Sequence, residues 1–230
     1  MNVLIIGGSS DIGISLAKLL VRNDFNVVST YNNNKFELDN VDTLKCDIRD
    51  ESSIESTIKY VINKYKKIDI LINMASISMD NEFLDKSKEE FMNVLEVNLV
   101  GTFLCNKIFS KYVSDGMIIN MGSTDGIDTY SLYDIDYAVS KAGIITMTKS
   151  ISKCTSNKVI CICPNWIDSN STRSMYDEYL KSELKRIGQD RLITIDEVCD
   201  SILRIISMET VSGSIYRVDI REDKLWIKEI

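Results

Sequence analysis

The hydrophobic positions of this chain switch repeatedly between two periods. Short runs rich in β-branched residues read as strands at Asn2–Ile6, Asn26–Ser29, Thr43–Cys46, Asp69–Asn73, Met117–Met121, Lys158–Cys163 and Ser214–Val218. Between them, apolar residues three and four apart predict helices near Gly13–Arg22, Ser53–Lys64, Lys88–Val113, Tyr137–Ser152 and Ile195–Ser207. A further helix is expected over Ser174–Arg186, and Thr194-Ile-Asp-Glu197 has the form of a capping box. Strand–helix alternation of this kind implies an α/β fold: a doubly wound, Rossmann-type parallel sheet of seven strands with helices on both faces. The single proline, Pro164, stands directly after the sixth strand and marks a turn at the mouth of the sheet. With 230 residues and no linker, repeat or low-complexity tract, residues 1–230 are expected to form one domain.

Composition narrows the chemistry. A net charge of −7 argues against a nucleic-acid or anionic-membrane surface. No apolar run reaches bilayer length, and the N-terminus lacks the basic start of a secretory signal, so a cytoplasmic location is expected. The six cysteines form no C-x-x-C pair and are expected to be reduced and mostly buried; Cys161 and Cys163 alternate along one strand and share a face. Without a single histidine, His-based triads and His-containing zinc sites are excluded, and no metal site is expected. Acid–base work must fall to Tyr, Lys, Cys or a carboxylate.

Tyr137-Ala-Val-Ser-Lys141 meets that requirement. On a helix, the four-residue spacing stacks phenol and ammonium on one face. A neighbouring positive charge favours the phenolate and is expected to lower the Tyr137 pKa, suiting it to pass a proton to or from a carbonyl oxygen.

The first strand runs into Gly7-Gly-Ser-Ser-Asp-Ile-Gly13. A glycine turn between strand and helix brings backbone N–H groups to a pyrophosphate at the helix N-terminus. Asp11 is expected to complement the helix start and face away from the phosphates. The dinucleotide fingerprint calls for an acid at the end of the second strand, but Ser29-Thr-Tyr-Asn-Asn-Asn-Lys35 has none, and Glu37 is the nearest. A 2′-phosphate would meet no repulsion there, and Asn32, Asn33 or Lys35 could bond it. NADP(H) is therefore the preferred cofactor and NAD(H) the open alternative, since no arginine marks this strand end.

Taken in order, the glycine turn, the Tyr–Lys pair and Pro164 resemble the short-chain dehydrogenase/reductase family, closest to the branch holding 3-oxoacyl-carrier-protein reductases. Cys46-Asp47-Ile48, Asn73-Met-Ala-Ser76, Glu96-Val-Asn98-Leu, Ile119-Asn-Met-Gly-Ser123 and Pro164-Asn-Trp-Ile-Asp-Ser169 fall in register with the family's other motifs. The resemblance implies hydride transfer between a nicotinamide cofactor and a ketone or secondary alcohol, with 3-oxoacyl thioesters as one candidate. It assigns Ser123 to the substrate oxygen, Tyr137 to the proton, Lys141 to the nicotinamide ribose and to Tyr137, and Asn98 to a water leading to Lys141. Cofactor contacts are implied at Gly7, Ser9, Ser10, Ile12, Gly13, Tyr31, Asn32, Asp47, Ile48, Asn73, Ala75, Pro164, Ile167 and Ser169. Asn73 is expected also to tie neighbouring strands together. The substrate would be a small or carrier-bound carbonyl compound, and a homo-oligomer, dimer or tetramer, is implied.

The chain also departs from the family pattern. Asp11, Ser76 and Asn165 replace usual glycines, and Asn165 is expected to keep its turn by tolerating positive φ. The helices after Leu99 and Ala142 are about one turn short, which weakens the usual four-helix interface. Residues 170–191 would form a short polar substrate lid. Residues 220–230 are atypical, with Arg221-Glu-Asp-Lys224 as a turn and Leu225–Ile230 as a hairpin partner of the seventh strand. The alternatives are an NAD-dependent dehydrogenase of the same family and a dinucleotide-binding regulator without turnover.

Overall fold

A computed structural model describes residues 1–130 and 132–230. Its strands are β1 (Asn2–Ile6), β2 (Asn26–Tyr31), β3 (Val41–Lys45), β4 (Ile70–Asn73), β5 (Met117–Met121), β6 (Lys158–Pro164), β7 (Ile215–Arg221) and β8 (Lys224–Glu229). The helices are α1 (Asp11–Arg22), α2 (Glu51–Tyr65), α3 (Lys88–Leu95), α4 (Thr102–Tyr112), α5 (Ile135–Ile151), α6 (Asn170–Arg173), α7 (Asp177–Ile187) and α8 (Ile195–Ser207). Among the described residues, no helix is long and apolar enough to cross a membrane.

Alternate residues of each strand enter opposite cores, as the two-residue period of a strand requires. Val3 and Ile5 pack with Leu16 and Leu20 of α1 and Ile202 of α8. Leu4 and Ile6 pack with Ile54 and Ile58 of α2 and Phe109 of α4. Both faces are thus covered, and the strands read as almost unbroken apolar runs.

The strand order is β3-β2-β1-β4-β5-β6-β7-β8. β1 pairs with β2 on one side and β4 on the other, so the order reverses there and a crevice opens beyond the strand ends. The expected seven parallel strands are joined by an eighth, β8, antiparallel to β7. Glu222 and Asp223 take φ of 50° and 57°, making the tight left-handed turn that lets two adjacent strands hairpin. The expected hairpin partner therefore forms, and the Arg221 guanidinium lies 4.0 Å from the centre of the Trp226 ring.

The single helix predicted over Lys88–Val113 is in fact three pieces. Glu96–Gly101 is π-helical, between α3 and α4. The hydroxyl of Thr102, the first residue of α4, donates to the Asn98 carbonyl at 2.6 Å, and the Asn98 side chain leaves the helix to bond another segment. A π-turn of this kind is a common companion of a functional site. The capping box of α8 forms as read: Glu197 N–H donates to Thr194, and Thr194 N–H donates to Glu197.

Candidate active site

The phosphate turn is built from β1, β2 and α1. Gly7 has φ of 79°, and a Cβ there would lie 2.4 Å from the Ala75 backbone, so no side chain fits. Gly7 N–H donates to the Thr30 hydroxyl (3.0 Å) and Gly8 N–H to the Thr30 carbonyl (2.8 Å), pinning the turn to the end of β2. Ser10 caps α1 by accepting from Gly13 N–H at 3.1 Å. Asp11 complements the start of α1, as expected, and also lines the smaller cavity. Its carboxylate accepts from Ile12 N–H (3.0 Å) and from Asn170 N–H at the start of α6 (2.7 Å). Free N–H groups at two helix starts attract this anion.

Two adjoining cavities follow the crevice, of about 430 and about 320 Å³, with Ser10, Met74, Ser76 and Ile77 common to both. The larger is lined by Gly7, Ser9, Asn32, Asp47, Ile48 and Ala75. The smaller is lined by Ile12, Ser123, Tyr137, Lys141, Pro164, Ile167 and Ser169. Three expected cofactor contacts and one expected catalytic residue, four in all, lie outside this lining. Gly13 is buried behind the turn, and Tyr31 packs edge-on against Phe36. Asn73 ties β4 to β5 by donating to Asn120 at 2.8 Å, the tying role expected of it.

Asn98 is the fourth. It is fully buried, accepts from Ile77 N–H (2.8 Å), and donates to the Ile77 carbonyl (2.8 Å) and to the Ser140 hydroxyl (3.1 Å). Ser140 in turn donates to the Tyr137 carbonyl at 2.7 Å. Asn98 therefore clamps the segment after β4 to the turn of α5 that carries the tyrosine.

Ser123, Tyr137 and Lys141 meet at the ends of β5 and β6. Gly126 allows it: a Cβ there would sit 2.5 Å from Ala142 N, so the turn after Ser123 presses directly on α5. Lys141 Nζ donates to the Met121 carbonyl at 2.9 Å and lies 5.2 Å from the centre of the Tyr137 ring. The expectation that Lys141 lowers the Tyr137 pKa is reversed. Burial raises the phenol well above its usual value, the nearby Asp125 adds to the rise, and a hydrogen bond from Ser123 opposes it. Burial also pushes Lys141 down to about 8, which weakens it as a source of positive charge.

Asp125 is the main residue that sequence reading missed. It is buried beside Ser123, whose hydroxyl donates to it at 3.3 Å, and burial raises its pKa. Its sole sequence signal is an acid two positions after a candidate catalytic serine. Asp134 lines the same cavity, with its carboxyl pushed up to about 8 by burial and by Asp80. Arg49, paired with Asp47 at 2.7 Å, lines the larger cavity.

Asn165 is not at positive φ, against expectation. Its amide accepts from the Thr124 hydroxyl (2.9 Å) and donates to Asp219 (3.0 Å), tying the Ser123 turn to β7. Within the lid, Met175 and Thr172 line the cavity and Tyr179 packs against Tyr133 and Trp166, while Tyr176 is exposed. Ser169 caps α6 through Thr172 N–H at 3.3 Å. Five of the six cysteines are buried and all are free, and the Cys161 and Cys163 sulfurs lie 3.6 Å apart.

Fold, turn and cavity together define a nicotinamide-dinucleotide oxidoreductase. Residues 1–180 match the short chain dehydrogenase family, and the chain belongs to it. Carbonyl reductase family member 4 of Xenopus laevis is 30% identical over 227 residues, 94% of each chain. The 3-oxoacyl-[acyl-carrier-protein] reductase FabG of Vibrio cholerae is 26% identical, covering 94% of this chain and 97% of that one. A short chain dehydrogenase of Leptospira borgpetersenii, solved with bound NAD+, superposes with a TM-score of 0.81 at 27% identity, over 95% of this chain and 91% of that one.

Proposed function

We propose that the protein moves a hydride between NADP(H) and a ketone or secondary alcohol. The observation that carries this reading is the convergence of Ser123, Tyr137 and Lys141 on one cavity, continuous with the Gly7–Gly13 turn. The cofactor, when bound, supplies or accepts the hydride. The chain's part is orientation and proton handling. Ser123 holds the substrate oxygen, Tyr137 gives it a proton during reduction or removes one during oxidation, and Lys141 holds the ribose. Asn98 steadies the Tyr137 turn from behind.

NADP(H) is preferred because Asn32, Asn33, Asn34 and Arg49 line the adenosine end, with Asp47 there already neutralised by Arg49. A bound NAD+ in the Leptospira relative favours the second reading, an NAD-dependent dehydrogenase. Comparing NADH and NADPH affinities separates the two. The substrate is a small or carrier-borne carbonyl compound, with 3-oxoacyl thioesters first among candidates because of the reductase relatives. Met92, Val100, Phe103 and Val139 are exposed apolar side chains of α3, the π-turn, α4 and α5, which supports a homo-oligomer. Six free thiols fit a reducing, cytoplasmic compartment.

The test is NADPH oxidation against a panel of 3-oxoacyl thioesters, ketoses, quinones and simple ketones. Tyr137→Phe should cut kcat about a hundredfold or more while leaving cofactor affinity unchanged. Full turnover by that variant would remove the mechanism. Cofactor binding without turnover on any panel member would favour the regulator reading instead.

A further inference from the structure

Tyr137 is the third residue of α5, so its N–H lies in the first helical turn and has no carbonyl of its own helix to bond. Helix ends fray, and Asp134, the residue before α5, makes no side-chain cap bond that would hold this one. The Tyr137 N–H donates instead to the Asp136 carboxylate at 2.9 Å. Asp136 is fully buried, and Lys86 Nζ donates to its two oxygens at 3.2 and 3.1 Å. Lys86 stands two residues before α3, in a stretch whose other side chains face solvent, yet its own side chain is only 5% exposed. Its ammonium also donates to the Met79 carbonyl. A lysine drawn in this far keeps its charge by meeting such partners.

The carbonyl of Tyr137 is held as well. It accepts from Ser140 at 2.7 Å, and Ser140 accepts from Asn98 at 3.1 Å. Asn98 bonds both the N–H and the carbonyl of Ile77, each at 2.8 Å. The peptide groups on either side of Tyr137 are therefore fastened to one short piece of chain, at Ile77 and at Met79. Between those two residues stands Ser78, which lines the same cavity as Tyr137.

We propose that Lys86 is a positioning residue: through Asp136 it fastens the first turn of α5 to the segment after β4, and so sets where Tyr137 stands in the cavity. The proposal rests on the reading of Tyr137 as the proton donor. Lys86 lines neither of the two cavities and acts only through Asp136 and Met79. Without the link the turn is free to fray, and the phenol shifts against Ser123. A misplacement of about 1 Å can cost about a hundredfold in rate.

Lys86→Met alone strands the buried Asp136 charge and costs stability whatever the role of the pair. Lys86→Met combined with Asp136→Asn removes both charges and keeps an acceptor for the Tyr137 N–H, so its urea midpoint should stay near that of the wild type. In this double variant kcat for carbonyl reduction should fall about tenfold or more, with KM for NADPH unchanged. A kcat within about twofold of the wild type would show that the pair serves stability alone, and the proposal would fall. Amide hydrogen exchange, followed by NMR without substrate or cofactor, reads the fastening itself. The Tyr137 amide should exchange about tenfold faster in the double variant while that of Ile144, deeper in α5, is unchanged; equal rates at Tyr137 refute the link. The wild type alone decides the matter if the variant does not fold. A Tyr137 amide within about tenfold of Ile144 supports a fastened turn, and a faster one refutes it. Exchange gives its answer even where Tyr137→Phe removes the proton-donor reading.

Discussion

Asn165 ties the turn bearing Ser123 to β7. Its amide bonds Thr124 on one side and Asp219 on the other, and Asp219 pairs with Arg217 at 3.1 Å. Arg217 reaches on to the half-exposed Asp128 at 2.6 Å, while the bonds of Asn165 to Thr124 and Asp219 join the turn bearing Ser123 to β7 by buried polar contacts. Removing one member of such a network strands its partners without water. Asn165→Ala should lower unfolding free energy by about 2 kcal/mol, measured by urea denaturation, and an unchanged midpoint would show that the network is slack. The side-chain types at this level were legible: Tyr137 and Lys141 from their spacing, Ser123 from the family resemblance, and all three line one cavity. Asp125 was not, because its burial and its contacts with Ser123 and Thr129 are set by the fold.

At the scale of elements, α1 and α6 are joined by Asp11. Its carboxylate occupies Ile12 N–H, a donor at the helix start where a pyrophosphate would also draw. Cofactor binding must work against that charge. Asp11→Asn should tighten dinucleotide binding about fivefold at low salt, the scale of one charge at a helix terminus. Fluorescence titration with NADPH checks it, and weaker binding would show that closing α6 over the crevice matters more than the repulsion. The helix over Lys88–Val113 carries the same lesson about legibility. Its apolar spacing was read correctly, but the π-turn at Glu96–Gly101 depends on the bonds from Asn98 to Ile77 and Ser140. Helical periodicity does not record a partner in another segment.

For the whole molecule, β8 is the departure with the largest consequence. It pairs with β7 from Tyr216 to Arg221 and covers an edge that would otherwise offer free backbone groups. Ending the chain at Arg221 should cost about 3 kcal/mol or more of stability from lost pairings and promote concentration-dependent association. Light scattering and urea midpoints would register both, and a monodisperse chain of unchanged midpoint would make β8 ornamental.

The sequence by itself determined the order and type of nearly every element, because strand and helix periods are local properties of twenty to thirty residues. It also determined the glycine turn and the Tyr137–Lys141 spacing, which both lie within short segments. Tertiary structure alone decided the electrostatics. Burial raised Tyr137 where a neighbouring ammonium was expected to lower it, and the fold set Asp125 against Ser123. Desolvation depends on what surrounds a group in space, and that is written across β5, β6, β7 and α5 together.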